Sequence, residues 1–129
     1  MTRIIKTYYL LMAFLAVALM LHSCAADNAM RKGEKFLAIG EYHDAAEQFK
    51  KAYTKTPAKE RQLRGQRALN MAHCYRHISS TQKAISAYRN ALRYNVATLD
   101  DRLDYARLLL KNGEYKRALA EFELLNDSM

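Results

Sequence analysis

Proline occurs once and glycine four times in the 129 residues. So few turn-forming residues argue against a fold of many short strands and favour long, continuous helices. Cysteine occurs only at Cys24 and Cys74, too few for a disulfide framework. The sequence also lacks a glycine-rich phosphate loop, a nucleophile elbow and any zinc-type cysteine spacing. Without a catalytic constellation the chain is not expected to be an enzyme, nor to need a cofactor. Acidic residues are the scarcer charge, 13 against 21 lysines and arginines, for a net charge of +8. With half the residues hydrophobic and a quarter charged, the composition is that of a folded domain, neither disordered nor fibrous. The length suits one small core.

Residues 1–23 read as an export signal. Arg3 and Lys6 form a positive start, and Tyr8 to Leu21 is an unbroken apolar run. That run is short for a membrane span and normal for a signal core. The alternative is an uncleaved anchor helix. Leu21-His22-Ser23-Cys24 resembles the bacterial lipobox, in which a small residue precedes the cysteine that receives the lipid. The resemblance implies cleavage before Cys24, acylation of its thiol and a membrane held through an N-terminal lipid. Residues 24–28 then form a short lipidated linker. Ala25-Ala26-Asp27-Asn28 carries neither a clear inner-membrane retention signal nor an acidic surface-export cluster, so the resemblance implies the periplasmic face of the outer membrane. An exported chain is not expected to meet nucleic acid. If Cys24 is acylated, Cys74 is left alone, and the helical register turns it inward.

Residues 29–129 are repetitive. Gly40-Glu41-Tyr42 through Ala45 and Phe49 recurs in kind at Gly113-Glu114-Tyr115 through Ala118 and Phe122. Between them, Ala84 and Tyr88 keep the alanine and the aromatic. Ala84 precedes Ala118 by thirty-four positions and Ala45 precedes Ala84 by thirty-nine, so five residues are inserted between the first two units. Ala45, Phe49, Ala52 and Tyr53 fall on one helical stripe, repeated by Ala84, Tyr88, Ala91 and Leu92. Gly40 and Gly113 are expected at helix ends in the left-handed conformation. Thr56-Pro57 reads as an N-cap with proline in the first turn of the next helix. Ser79 with Gln82, and Thr98 with Asp101, have capping-box spacing. The insertion near Lys59 to Gly65 is expected to lengthen the helix that follows it.

This pattern, with the Ala84-to-Ala118 step as its period, resembles the tetratricopeptide repeat. Gly33, Phe36, Gly40, Tyr42, Ala45, Phe49, Ala52 and Pro57 carry it in the first unit. Met71, Ala72, Tyr75, Ala84, Tyr88 and Ala91 carry it in the second, and Ala106, Leu109, Gly113, Tyr115, Ala118 and Phe122 in the third. The resemblance implies an all-α solenoid of six helices in three units, at about 29–58, 65–98 and 99–129. It also implies that the first helix of each unit lines a groove for a protein or peptide. The groove positions are Met30, Glu34 and Leu37, then Leu69, Asn70, His73, Arg76 and His77, then Leu103, Asp104, Arg107, Leu110 and Lys111. The carboxylate clamp found in a chaperone-binding subfamily is disfavoured, because Glu34, Asp100 and Asp104 stand where it needs amides or cations.

Two further features are weighed against plainer readings. His73 and His77 share a helix face at metal-ligand spacing but lack a third ligand, and Arg76 between them opposes a cation; no metal site is assigned. Lys50, Lys51, Lys55, Lys59, Arg61, Arg64 and Arg67 make the most basic stretch. A solvated face explains it, and the sharper reading is a contact for phosphate-rich headgroups or an acidic partner.

A lipobox followed closely by these repeats is similar to the start of OmpA-family outer-membrane lipoproteins linked to type IX secretion. Those proteins continue into a propeller and a peptidoglycan-binding domain, so the expectation here is a truncated or standalone relative acting as an adaptor. A pilot lipoprotein for assembly of outer-membrane proteins or pili is the alternative, and a metal protein using His73 and His77 the weakest reading. Solenoids normally finish with a polar capping helix. Leu119, Phe122 and Leu125 are therefore expected to be uncovered and to promote self-association.

Overall fold

The computed structural model describes the backbone of residues 1–129 and all side chains except those of His22 and Ser23. It is all helical: α1 (Thr2–Ala38), α2 (Tyr42–Lys55), α3 (Arg61–His77), α4 (Thr81–Arg93), α5 (Leu99–Lys111) and α6 (Tyr115–Ser128). Each helix packs on the next in order, α1 on α2 through α5 on α6. This is the short tetratricopeptide-type solenoid implied by the repeat.

The alanine–aromatic stripe builds the core. Ala45, Phe49 and Ala52 of α2, and Ala84, Tyr88 and Ala91 of α4, are all fully buried. A fully buried side chain the size of Phe49 contributes roughly 1.5–3 kcal/mol. The small residues let helices approach: a Cβ on Gly33 would sit 2.6 Å from the Phe49 ring, and one on Gly65 2.7 Å from Val96. Every helix except α6 carries a basic residue in its last turn, where it offsets the carbonyl end of the helix.

The turns divide by residue type. Gly40 and Gly113 adopt φ of 77° and 80°, as expected, whereas the equivalent turn of the middle unit puts Ser79 at φ 58°. The Thr98 capping box with Asp101 forms in full. Ser79 and Gln82 do not form one; Ser80 is the N-cap of α4 and makes no side-chain cap bond, because Ser79 is spent on the left-handed turn. Thr56 ends α2 instead of starting α3, which begins only at Arg61. Its hydroxyl donates back to the Ala52 carbonyl at 2.7 Å. Arg64 and Arg67 of α3 reach over this terminus. Arg64 donates to the Thr56 carbonyl at 2.5 Å, and Arg67 to the Ala52 carbonyl at 3.4 Å and to the Thr56 hydroxyl. The inserted residues do lengthen α3, to 17 residues against 13 in α5.

Helix α1 runs unbroken through the boundary expected at Ser23 and Cys24 and through residues 24–28, where Ala26 is already buried. Its N-terminal part is long and apolar enough to cross a membrane, as a signal sequence also is, and none of that apolar window is buried.

Candidate functional site

The candidate groove residues separate into three groups. Leu69 leaves the set: it is only 7% exposed and belongs to the core. The central helix α3 packs against both α2 and α4, so its buried arc is wider than a single amphipathic stripe and takes in a position read as groove.

A second group is committed to holding α3 against α5. His73 Nε2 lies 2.7 Å from Asp101 Oδ1, and Arg76 is 3.1 Å from Asp104, which Arg107 also approaches at 3.8 Å. Burial raises the Asp101 pKa, but hydrogen bonds from the Thr98 backbone, His73 and the Thr98 hydroxyl outweigh it and hold the carboxyl below its usual range. Burial above all pushes the Tyr88 hydroxyl up, against the nearby Arg76 cation. His77 stacks on Tyr42 with ring centroids 4.2 Å apart. The two histidines thus have different partners. Among the described residues no three His, Cys, Asp or Glu side chains gather as a metal would require.

What stays available on the faces of α1, α3 and α5 is smaller. Leu37 and Leu110 are 40% and 49% exposed, accompanied by the exposed Glu34, Arg107 and Lys111 and the half-buried Asn70. Leu103 turns elsewhere. With Leu99, Phe122, Leu125 and Met129 it lines an apolar cleft of about 420 Å³ between α5 and α6. The expected uncovered patch is present in part: Leu119 is 59% exposed and Phe122 half-buried, but Leu125 is only 8% exposed, tucked into that cleft. Leu99 and Met129 are cleft residues that the repeat pattern gives no reason to select, since both lie beyond its periodic positions.

The two thiols differ sharply. Cys74 is fully buried, and burial pushes its pKa up to about 11. It is a thiol at neutral pH and correspondingly unreactive. Cys24 is exposed. Just beyond it in the same helix, Asp27 pairs with the buried Arg67 at 3.1 Å and so ties the end of the apolar helix to α3.

No family model matches the chain, and no curated protein matches it. Among solved structures it is similar to MamA, a tetratricopeptide-repeat protein, at 20% identity and a TM-score of 0.64. The alignment covers 78% of this chain and 56% of MamA, so the chain spans little more than half the length of that neighbour. At this identity the likeness concerns the fold alone.

Proposed function

We propose that the chain is a membrane-held adaptor whose repeat domain seats an amphipathic helix of a partner protein at its α5–α6 end. The observation that carries this reading is the cleft of about 420 Å³ lined by Leu99, Leu103, Phe122, Leu125 and Met129. In a solenoid, such a face is where the next helix of the stack would lie. An apolar helix stripe from another protein has the matching shape and chemistry. Further along α5, Arg107, Leu110 and Lys111 offer a mixed surface, with charges that set specificity and association rate while the apolar contacts supply affinity.

Anchoring rests on the apolar run of α1 and the exposed Cys24 behind it. Acylation at Cys24 on the periplasmic face of the outer membrane is the form of anchoring we favour, since the lipobox-like segment has a small residue before the one thiol available there. An adaptor related to the repeat segment of OmpA-family lipoproteins of type IX secretion fits this arrangement.

The test is a photo-cross-linker at positions 103 and 119, compared with position 86 on α4, in cells. One defined adduct from 103 and 119, absent at 86 and lost in Phe122→Asp, is the expected result. Equal capture from all three positions contradicts the docking site. Separately, Cys24→Ala is expected to abolish labelling by a palmitate analogue and to leave a larger, uncleaved chain; normal labelling contradicts acylation.

A further inference from the structure

The apolar part of α1 and the α2–α3 turn enclose a cleft of about 150 Å³. Its wall changes character along its length. Leu19 and Leu63 are apolar, and beyond them stand Lys55, Lys59 and the buried Arg67. Arg67 is already engaged by Asp27 and the end of α2. Lys55 and Lys59 are exposed and make no ion pair among the described residues. Glu60 is the acidic neighbour on the rim.

The membrane level follows from helix geometry. From Leu21, where the apolar run ends, to Asp27 is six residues, or about 9 Å at the usual rise of an α-helix. The headgroup layer on each side of a bilayer is roughly 5–7 Å thick. Leu19 therefore lies at the hydrocarbon edge, and the lysines beside Asp27 lie among or just above the headgroups. A lipid on Cys24 sets the same level for the lysines alone, because Cys24 precedes the Asp27–Arg67 tie by less than one helical turn and Leu19 leaves with the cleaved segment.

We infer that this cleft binds the phosphodiester of an anionic phospholipid, with Lys55 and Lys59 on the phosphate and Leu63 against the root of its acyl chains; Leu19 adds to that wall in a chain that keeps α1 whole, since cleavage before Cys24 removes it. The inference rests on the membrane-held reading above and deepens it, because it also fixes orientation. The α2–α3 turn faces the bilayer. Free inorganic phosphate shares the recognised chemistry, but it leaves the apolar wall unused.

The chain contains no tryptophan, so Leu63→Trp gives a single reporter in the cleft. The full chain carrying it is reconstituted in phosphatidylcholine vesicles containing phosphatidylglycerol, with acyl-brominated quencher on one lipid or the other. Stronger quenching by brominated phosphatidylglycerol is expected, with an enrichment of up to about thirtyfold for two lysines at an anionic surface. K55Q/K59Q should remove that preference, and K83Q/K116Q, on α4 and α6, should keep it. Equal quenching by both lipids in a chain that stays with the vesicles overturns the headgroup site and leaves the anchor intact. A chain that separates from both kinds of vesicle overturns the anchor together with the site. A response of the detergent-held chain to inorganic phosphate but not to phosphatidylglycerol assigns the cleft to a free anion and also overturns it.

Discussion

Helices α4 and α6 occupy the same place in successive repeats, yet they are covered very differently. Ile85 of α4 is 3% exposed, and its counterpart one repeat later, Leu119 of α6, is 59% exposed. Tyr88 is fully buried where Phe122 is half-buried. The residue types are equivalent; the neighbours are not. α4 has α3 on one side and α5 on the other, whereas the substantial packing of α6 among the described residues is on α5. Burial in a solenoid is thus a property of position in the stack more than of the repeat. At the less covered end an apolar side chain of the same type stays partly in solvent.

The comparison is broken most strongly by truncating the covered members. Phe49→Ala should cost about 3–5 kcal/mol and Ile85→Ala about 2–5 kcal/mol, as deletions in filled cores do. Phe122→Ala should cost clearly less, and Leu119→Ala should stay within about 0.5 kcal/mol, as surface changes do. Chemical denaturation of the four variants gives these values. Equal losses at positions 85 and 119 would mean that α6 is as well covered as α4.

A smaller effect is expected where helices meet closely. Gly65→Ala drives a Cβ to within 2.7 Å of Val96 and 2.8 Å of Tyr94, and overpacking of this kind costs about 1–3 kcal/mol. Gly113→Ala meets nothing within 4 Å, so any loss there reports the φ of 80° alone. Denaturation midpoints separate the two causes: the Gly65 variant should also disturb the environment of Tyr94, and the Gly113 variant should not.

Next in size is the capping box of α5, whose Asp101 also meets His73 of α3. Thr98→Ala should cost about 1 kcal/mol. The carboxyl of Asp101 is held below its usual range in the fold. Its contribution is therefore complete above the ordinary aspartate pKa and is lost as the pH falls through the lowered value. The stability gap between wild type and Asp101→Asn should be widest near neutral pH and should close in acid. A gap independent of pH would contradict the hydrogen-bonded carboxylate.

The smallest effect compares the turns. Ser79→Gly should stabilise by a few tenths of a kcal/mol up to about 1 kcal/mol, since glycine accepts a positive φ at little cost. Thermal melts of this variant beside wild type check the sign.

The repeat is legible in the sequence because it is periodic. The Ala84-to-Ala118 spacing, the glycine turns and the Thr98–Asp101 cap all rest on local patterns in the chain, where local physics decides. The pairs that shape the site join distant residues: His73 with Asp101 across 28 positions, and Arg67 with Asp27 across 40. Periodicity names a helix face but not the side chain that meets it. It misplaces Leu69 for the same reason, since a two-sided neighbourhood widens the buried arc of α3. Arg64 and Arg67 read as surface charge, yet they satisfy the carbonyl end of α2. Only Thr56, standing beside the single proline, hints that this terminus needs donors.

Helix α6 should be the less protected counterpart of α4, and amide hydrogen exchange reads that directly. Amides in the second half of α6 should exchange at least about tenfold faster than those at the equivalent positions of α4, as in helices opening from the end of a stack. Equal protection of the two helices in the absence of any partner would contradict it.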